Sequence, residues 1–290
     1  MTLLQYEIFK EVIELGSFTK AGDKLGLTQS AVSHAVKSLE AELDLTLLKR
    51  GRSGVSLTFE GKRILTYIRQ ILNLTEKMKQ EAGRLNGLEI GTIRIGTFPS
   101  VSAYLLPSII EKFHSTFPSI QVEFFEGGYH ELRQMLSSNA IDIGFLTTNH
   151  AENLDFIPLF DDHLHIILPD SHPLKNEKQV SVQDIAAEPF IMPKAGCDDL
   201  IKELFKSNNL KPNVYCEIAD NQTIIAMVQK NLGISIVPEI VMHAAKDLAS
   251  AELKEESYRT VGLALPDLDT VSPAVAAFIE LTRSMINRKK

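Results

Sequence analysis

The chain has 290 residues, enough for two or three folding units at roughly 100 to 200 residues per domain, and a hydrophobic fraction of 44% supplies packed interiors. It lacks any uninterrupted apolar run of about 18 residues, and its start, Met-Thr-Leu-Leu-Gln-Tyr-Glu, has neither a basic region nor a small-residue cleavage site, so a membrane span and a secretion signal are excluded and a soluble, cytoplasmic protein is expected. The net charge of −7 would speak against a nucleic-acid partner, but residues 1–90 hold 13 Lys and Arg against 11 Asp and Glu, and residues 91–290 hold 17 against 26, so the acidity belongs to the second part.

Leu3, Leu4, Ile8, Phe9, Val12, Ile13 and Leu15 fall at helical spacing and predict a first helix whose apolar face closes a three-helix core. Ser17-Phe18 opens a second helix carrying Ala21 and Leu25, which breaks at Gly26; Thr28 then caps a third. That third helix is expected to bury Ala31, Val32, Val36, Leu39 and Leu43. Its other face presents Gln29, Ser30, Ser33, His34 and Lys37, hydrogen-bonding side chains able to approach base edges in a major groove that admits a helix. The arrangement is a helix-turn-helix. Gly51 to Thr58 reads as a tight hairpin, and the basic cluster Lys49, Arg50 and Arg52 beside it can meet phosphates flanking the groove.

Thr58 is placed to cap a long helix reaching about Leu85, in which Ile64, Ile68, Ile71, Thr75, Met78, Ala82 and Leu85 alternate in steps of four and three. Those steps make a heptad seam, which suits pairing with a second copy, although the same stripe would also pack on the chain's own body. Gly87 and Gly91 end the helix and form a hinge. From Thr92 onward short apolar strands alternate with amphipathic helices: 93–96, 105–117, 120–125, 129–136 and 141–146, then strands at 165–168, 214–218 and 234–237 with helices at 200–205 and 223–229. Such alternation predicts parallel sheet with crossover helices, in two lobes with a cleft between them. Ligands of open α/β sheets sit at strand ends near helix N-termini. Ser100 and Ser102 fall at such a place, and Thr147 and Thr148 follow the strand 141–146, so that two pairs of hydroxyls would face one cleft; each could instead cap its helix.

In this order of elements the chain resembles the LysR-type transcriptional regulators over essentially its full length. The resemblance rests on Phe18-Thr19-Lys20-Ala21-Gly22-Asp23-Lys24-Leu25, Gln29-Ser30-Ala31-Val32-Ser33, Leu39, Glu40, Leu43, Arg50, Leu57-Thr58 and Gly61. Downstream it rests on Ile93-Arg94-Ile95-Gly96, Leu106-Pro107, Phe113, Phe117-Pro118, Asp142 and the run Val228 to Pro238. Leu48 stands where the family usually has Phe, and His34 where Arg is frequent. The resemblance implies an α/β fold with an N-terminal winged helix-turn-helix over 1–58, a linker and dimerisation helix with hinge over 59–90, and a two-lobed effector domain, like a periplasmic binding protein, over 91–290. It implies a homodimer or homotetramer that binds double-stranded promoter DNA, responds to a small-molecule effector and works with RNA polymerase; activation and repression both stay open. Thr28, Gln29, Ser30, Ser33, His34, Lys37, Arg50 and Arg52 are the expected DNA contacts. Ser100, Ser102, Thr147 and Thr148, with Lys194, Gly196, Asn221 and Thr223 in segments corresponding to the family's effector site, are the expected effector contacts. Ser100 and Lys194 favour a small carboxylate or other anion.

Other chemistry finds little footing. The chain has no Gly-rich phosphate loop ending in Lys-Ser/Thr, no Gly-x-Ser-x-Gly elbow and no His-Glu-x-x-His, so no enzyme and no cofactor are expected. His163 and His165 share one face of a strand but lack a third ligand at a suggestive spacing, and no metal is expected. A transport-type solute receptor would suit the two lobes but has no use for residues 1–90 and needs export. The two cysteines, Cys197 and Cys216, match neither a CxxC pair nor a disulfide framework, and Cys197, after Gly196 at a helix start, is the one position where a thiolate would be stabilised for a redox role.

Overall fold

Thr2, Ser17 and Thr28 each begin a helix by accepting a backbone N–H three residues on, so the first three helices start where their hydroxyls stand: α1 (Leu3–Leu15), α2 (Phe18–Leu25) and α3 (Gln29–Leu43). The computed structural model describes residues 1–51, 54–86, 90–194, 197–245 and 247–287; the side chains of Arg50 and His243, and Arg52 and Gly196 altogether, lie outside the described residues. Two compact units form, one around Met1–Leu88 and one around Glu89–Ser137 with Ile141–Lys290.

In the first unit, Ile8, Phe9, Val12, Phe18, Ala21, Val32, Val36 and Leu39 close one core. Ala31, expected inside, is exposed; the inward step after Val32 falls instead on half-buried Ala35 and on Val36, because Ala31 lies in the first turn beside exposed Gln29 and Ser30. Glycine is required at Gly22 within α2, where the turn to α3 folds back, since a Cβ there would stand 2.6 Å from the Leu27 carbonyl oxygen. The wing is an antiparallel hairpin, β1 (Leu48–Gly51) on β2 (Gly54–Leu57), tied to α3 by Glu40, whose Oε1 accepts from the N–H of Leu47 at 2.7 Å and of Leu48 at 3.1 Å. Helix α4 (Phe59–Leu85) starts at Thr58, whose Oγ1 accepts from Gly61 N at 2.8 Å and donates to the Thr46 carbonyl at 2.8 Å. The expected seam divides along it: Ile68 is buried in the head core, while Ile71, Met78, Ala82 and Leu85 are exposed, in company with Tyr67 and Leu74.

The second unit begins as the alternation predicts, with β3 (Gly91–Thr97), α5 (Pro99–Tyr104), α6 (Leu106–Thr116), β4 (Ile120–Glu126), α7 (Tyr129–Ser137) and β5 (Ile143–Thr147), where β3 lies parallel to both β4 and β5. A short 3₁₀ turn (Thr148–His150) leads to β6, which runs over Asp155–Leu168 as a strand of 14 residues rather than the four expected. The second lobe follows: β7 (Gln179–Val180), α8 (Val182–Ile185), β8 (Pro189–Pro193), α9 (Asp198–Ser207), β9 (Asn213–Ile218), α10 (Asn221–Gln229), β10 (Ser235–Pro238), a second 3₁₀ segment (Glu239–Ala244) and β11 (Ala249–Leu253). Strand β12 (Tyr258–Leu265) then returns antiparallel to both β5 and β6, and α11 (Pro273–Asn287) finishes the first lobe. The sheet is therefore mixed, in the order β4-β3-β5-β12-β6-β11-β7, not wholly parallel. The periodic reading missed β12 and α11, although Phe278 of α11 is fully buried against Phe113 and Phe145. Long β6 and β12 run from one lobe into the other, with Arg259 of β12 opposite Asp162 of β6.

Candidate reading face and effector cleft

Along α3 the side chains Gln29, Ser30, His34 and Lys37 are exposed, Thr28 at its cap likewise, and Ser33 is half-buried. Thr28 Oγ1 accepts from Ala31 N at 3.2 Å and lies 3.0 Å from Ser30 Oγ, so the first turn is fixed while its polar tips face outward. These are the short hydrogen-bonding groups that base-edge recognition uses, at the N-terminal end of a helix backed by a closed core.

In the second unit a cavity of about 720 Å³ opens where the lobes face each other. The first lobe lines it with Tyr129, His130 and Glu131 at the start of α7 and with Thr147, Thr148 and His150; the second contributes Lys194, Asp198 and Asp199; crossover strand β12 adds Tyr258, Arg259 and Thr260. Of the eight expected effector residues, Thr147, Thr148 and Lys194 reach this wall. Ser100, Ser102, Asn221 and Thr223 do not. Asn221 and Thr223 start α10, and the Thr223 hydroxyl is spent on Asp220, to which it donates at 2.6 Å beside the N–H of the same residue. Ser102 donates to Thr97 Oγ1 at 3.4 Å.

Ser100 is covered by a residue that no motif pointed to. Arg259 donates through Nη2 to Ser100 Oγ at 2.9 Å, through Nη1 to Tyr129 Oη at 3.0 Å, and through Nε and Nη2 to Asp162 Oδ2 at 3.0 and 2.7 Å. Asp162 Oδ1 in turn accepts from Ile240 N at 3.0 Å, and the guanidinium stacks 5.0 Å from the Phe98 ring centre. The pair is almost wholly buried, with side-chain exposures of 2% and 1%. A buried charge persists only when paired and hydrogen-bonded, and here every carboxylate and guanidinium edge that is used meets a partner from α5, α7, β6 or the segment after β10. The expected anion site at Ser100 is thus already filled by a cation of the protein's own. The register that pairs residues 259 and 162 is a long-range feature with no local signature, which is why the sequence did not disclose it.

Tyr129 is pushed up to about 12 by burial, against the opposite pull of Arg259, so its hydroxyl stays protonated. Accepting from Arg259, it retains its own O–H to donate. His150 lies 4.3 Å from Tyr129 between ring centres, bonds through Nδ1 to Thr147 Oγ1 at 2.7 Å, and is held below the ordinary histidine value, first by burial and then by His130. Cys197 does not fulfil the thiolate expectation: it is buried, makes no cap bond to α9, and burial pushes its thiol up to about 12, overriding nearby Arg259. Among the described residues no group of three or more His, Cys, Asp or Glu is arranged to hold a metal, and His163 packs instead against the Tyr258 ring at 5.4 Å. No helix of the described residues is long and apolar enough to cross a membrane.

A helix-turn-helix head with an outward polar face, joined in one chain to a two-lobed α/β body around a cavity, is the build of a ligand-responsive DNA-binding regulator. The comparisons agree: the model for the lysR family of bacterial regulatory helix-turn-helix proteins matches residues 3–62, and that for the LysR substrate binding domain matches residues 86–286. The chain belongs to the LysR family of transcriptional regulators. It is 36% identical to the HTH-type transcriptional regulator YvbU of Bacillus subtilis (strain 168), over 98% of this chain and 99% of that one. In fold it resembles full-length OxyR C199D from Pseudomonas aeruginosa, at a TM-score of 0.79 and 20% identity, covering 98% and 95% of the two chains. It also resembles full-length CbnR complexed with its target DNA, at a TM-score of 0.68 and 22% identity, covering 98% and 99%.

Proposed function

We propose that this LysR-type regulator reads promoter DNA with the exposed face of α3 and is switched by a small effector, bearing an anionic group, held in the cavity between its lobes. Residues 1–58 act as the reading head, 59–90 as linker and pairing helix, and 91–290 as the effector domain. Gln29, Ser30, Ser33, His34 and Lys37 meet base edges and adjacent backbone, Thr28 sets their first turn, and Arg50 and Arg52 meet phosphates. The exposed apolar residues Ile71, Met78 and Leu85 of α4 are covered by a second copy, which gives two heads for two half-sites. RNA polymerase is the partner through which occupancy becomes transcription. An effector shifts the balance of arrangements only by its differential affinity for them. Thr147, Thr148 and Lys194 are its contacts from the expected set, joined by Tyr129 and Arg259; Ser100 acts through Arg259.

The observation that carries this reading is the polar face of α3, exposed at Gln29, Ser30, His34 and Lys37 on a closed core. Genome-wide footprinting of the intact protein, followed by binding titrations on a recovered fragment, tests it. Gln29→Ala is expected to weaken specific binding by about 1–3 kcal/mol and relax base preference, and Arg50→Ala to weaken all sequences alike and lower the salt slope by about 1. An intact protein with no fragment preference at low ionic strength would refute the reading.

A further inference from the structure

Two of the charged groups that line the cavity have their charges answered within the protein. Arg259 is paired with Asp162 at 2.7 Å, and Asp198 takes Lys202 Nζ at 2.8 Å. The side chains of Lys194, Glu131 and Asp199 make no hydrogen bond or ion pair among the described residues, although all three are on the wall of the same cavity. They come from both sides: Glu131 from the first lobe, Lys194 and Asp199 from the second. The negative charge of Asp199 is felt at His150 on the opposite wall, so the two walls are within electrostatic reach. One uncommitted cation and two uncommitted carboxylates do not complement a dianion. Sulfate, phosphate or a dicarboxylate would find a single unpaired positive charge and two repelling ones. A plain amine would leave Lys194 and the donor Tyr129 hydroxyl unused.

We propose, resting on the effector reading above, that the cleft takes a zwitterion of the free amino-acid class, whose carboxylate meets Lys194 and the Tyr129–Arg259 edge and whose ammonium meets Asp199 and Glu131. Such a ligand satisfies both signs at once. Removing either of its charges leaves a polar group of the protein unpaired, and that is where a binding site discriminates most strongly. The span of the cavity leaves room for a side chain beyond the two charged ends.

The test uses the full-length protein and three matched probe sets: the proteinogenic L-amino acids, their α-keto acids and their decarboxylated amines, together with sulfate, phosphate and succinate, read by thermal shift and then calorimetry. At least one amino acid is expected to bind saturably, with its keto acid and its amine each at least tenfold weaker. Asp199→Asn should erase the preference over the keto acid, and Lys194→Met the preference over the amine; both positions are exposed, and both variants should keep the wild-type unfolding midpoint in the absence of probe. A keto acid, sulfate, phosphate or succinate that binds as tightly as any amino acid, or an amino-acid set that does not bind at all, overturns the zwitterion. If some probe binds and neither variant changes its affinity, the cavity itself is the wrong place, and the effector reading fails with it.

Discussion

At the scale of single residues, the second unit turns on one buried ion pair. Deleting one partner of such a pair leaves a charge without an answer, so Asp162→Ala is expected to destabilise the protein by about 3–5 kcal/mol, read from urea unfolding, and Arg259→Met combined with Asp162→Leu to recover a large share of that loss. Recovery would not occur if the pair acted only through packing. His150 gives a pH dependence with a definite sign. Its folded-state value lies below the free value of 6.5, so the unfolded chain takes the proton more readily; the stability this contributes is present above the free value and is lost as the pH falls from there through the lower folded-state value. The unfolding midpoint of the wild type should therefore drop more steeply from neutral to mildly acid pH than that of His150→Gln. Cys197, with its thiol pushed up to about 12 by burial, should resist a thiol reagent in the native protein, while half-buried Cys216 reacts first. At this scale the sequence was most informative about exposure along one helix, as at Gln29 and Lys37, both of which are exposed. It was least informative where a site is made by residues 159 positions apart, as with Ser100 and Arg259.

At the scale of elements, start signals were legible because they are local: Ser17, Thr28 and Thr58 each cap the helix that the sequence assigned to them, whereas the cap at Thr2 was not read. Thr58→Ala removes both the cap of α4 and a hydroxyl that donates to the Thr46 carbonyl, and should cost about 1–2 kcal/mol in the melting of the head. Strand β12 and helix α11 were not legible. Val261 to Leu265 is a nearly continuous apolar run after a polar stretch, and α11 is apolar on so much of its surface that its period is blurred. The length of β6 was hidden for another reason: its first half, Asp155 to His163, is a short apolar run interrupted by Pro158 and closed by Asp161, Asp162 and His163, without strand alternation, and only pairing with β12 makes it a strand.

At the scale of the whole molecule, the exposed seam of α4 sets the assembly that we propose. Met78→Asp places a charge in the middle of that seam and should shift the protein toward monomer in sedimentation, with promoter affinity falling in step, while the melting of the head stays near the wild type. The two-lobed body has a further consequence in the way its first lobe is completed. Its sheet and core wait for β12 and α11, which leave the ribosome after every other element of that lobe, whereas the head is finished after fewer than ninety residues. A nonsense codon or frameshift near position 258 therefore yields a truncated product with a sound head and a body that cannot close. Such a fragment would occupy operators deaf to any signal, and in a cell that also carries the intact gene it would act as a dominant allele.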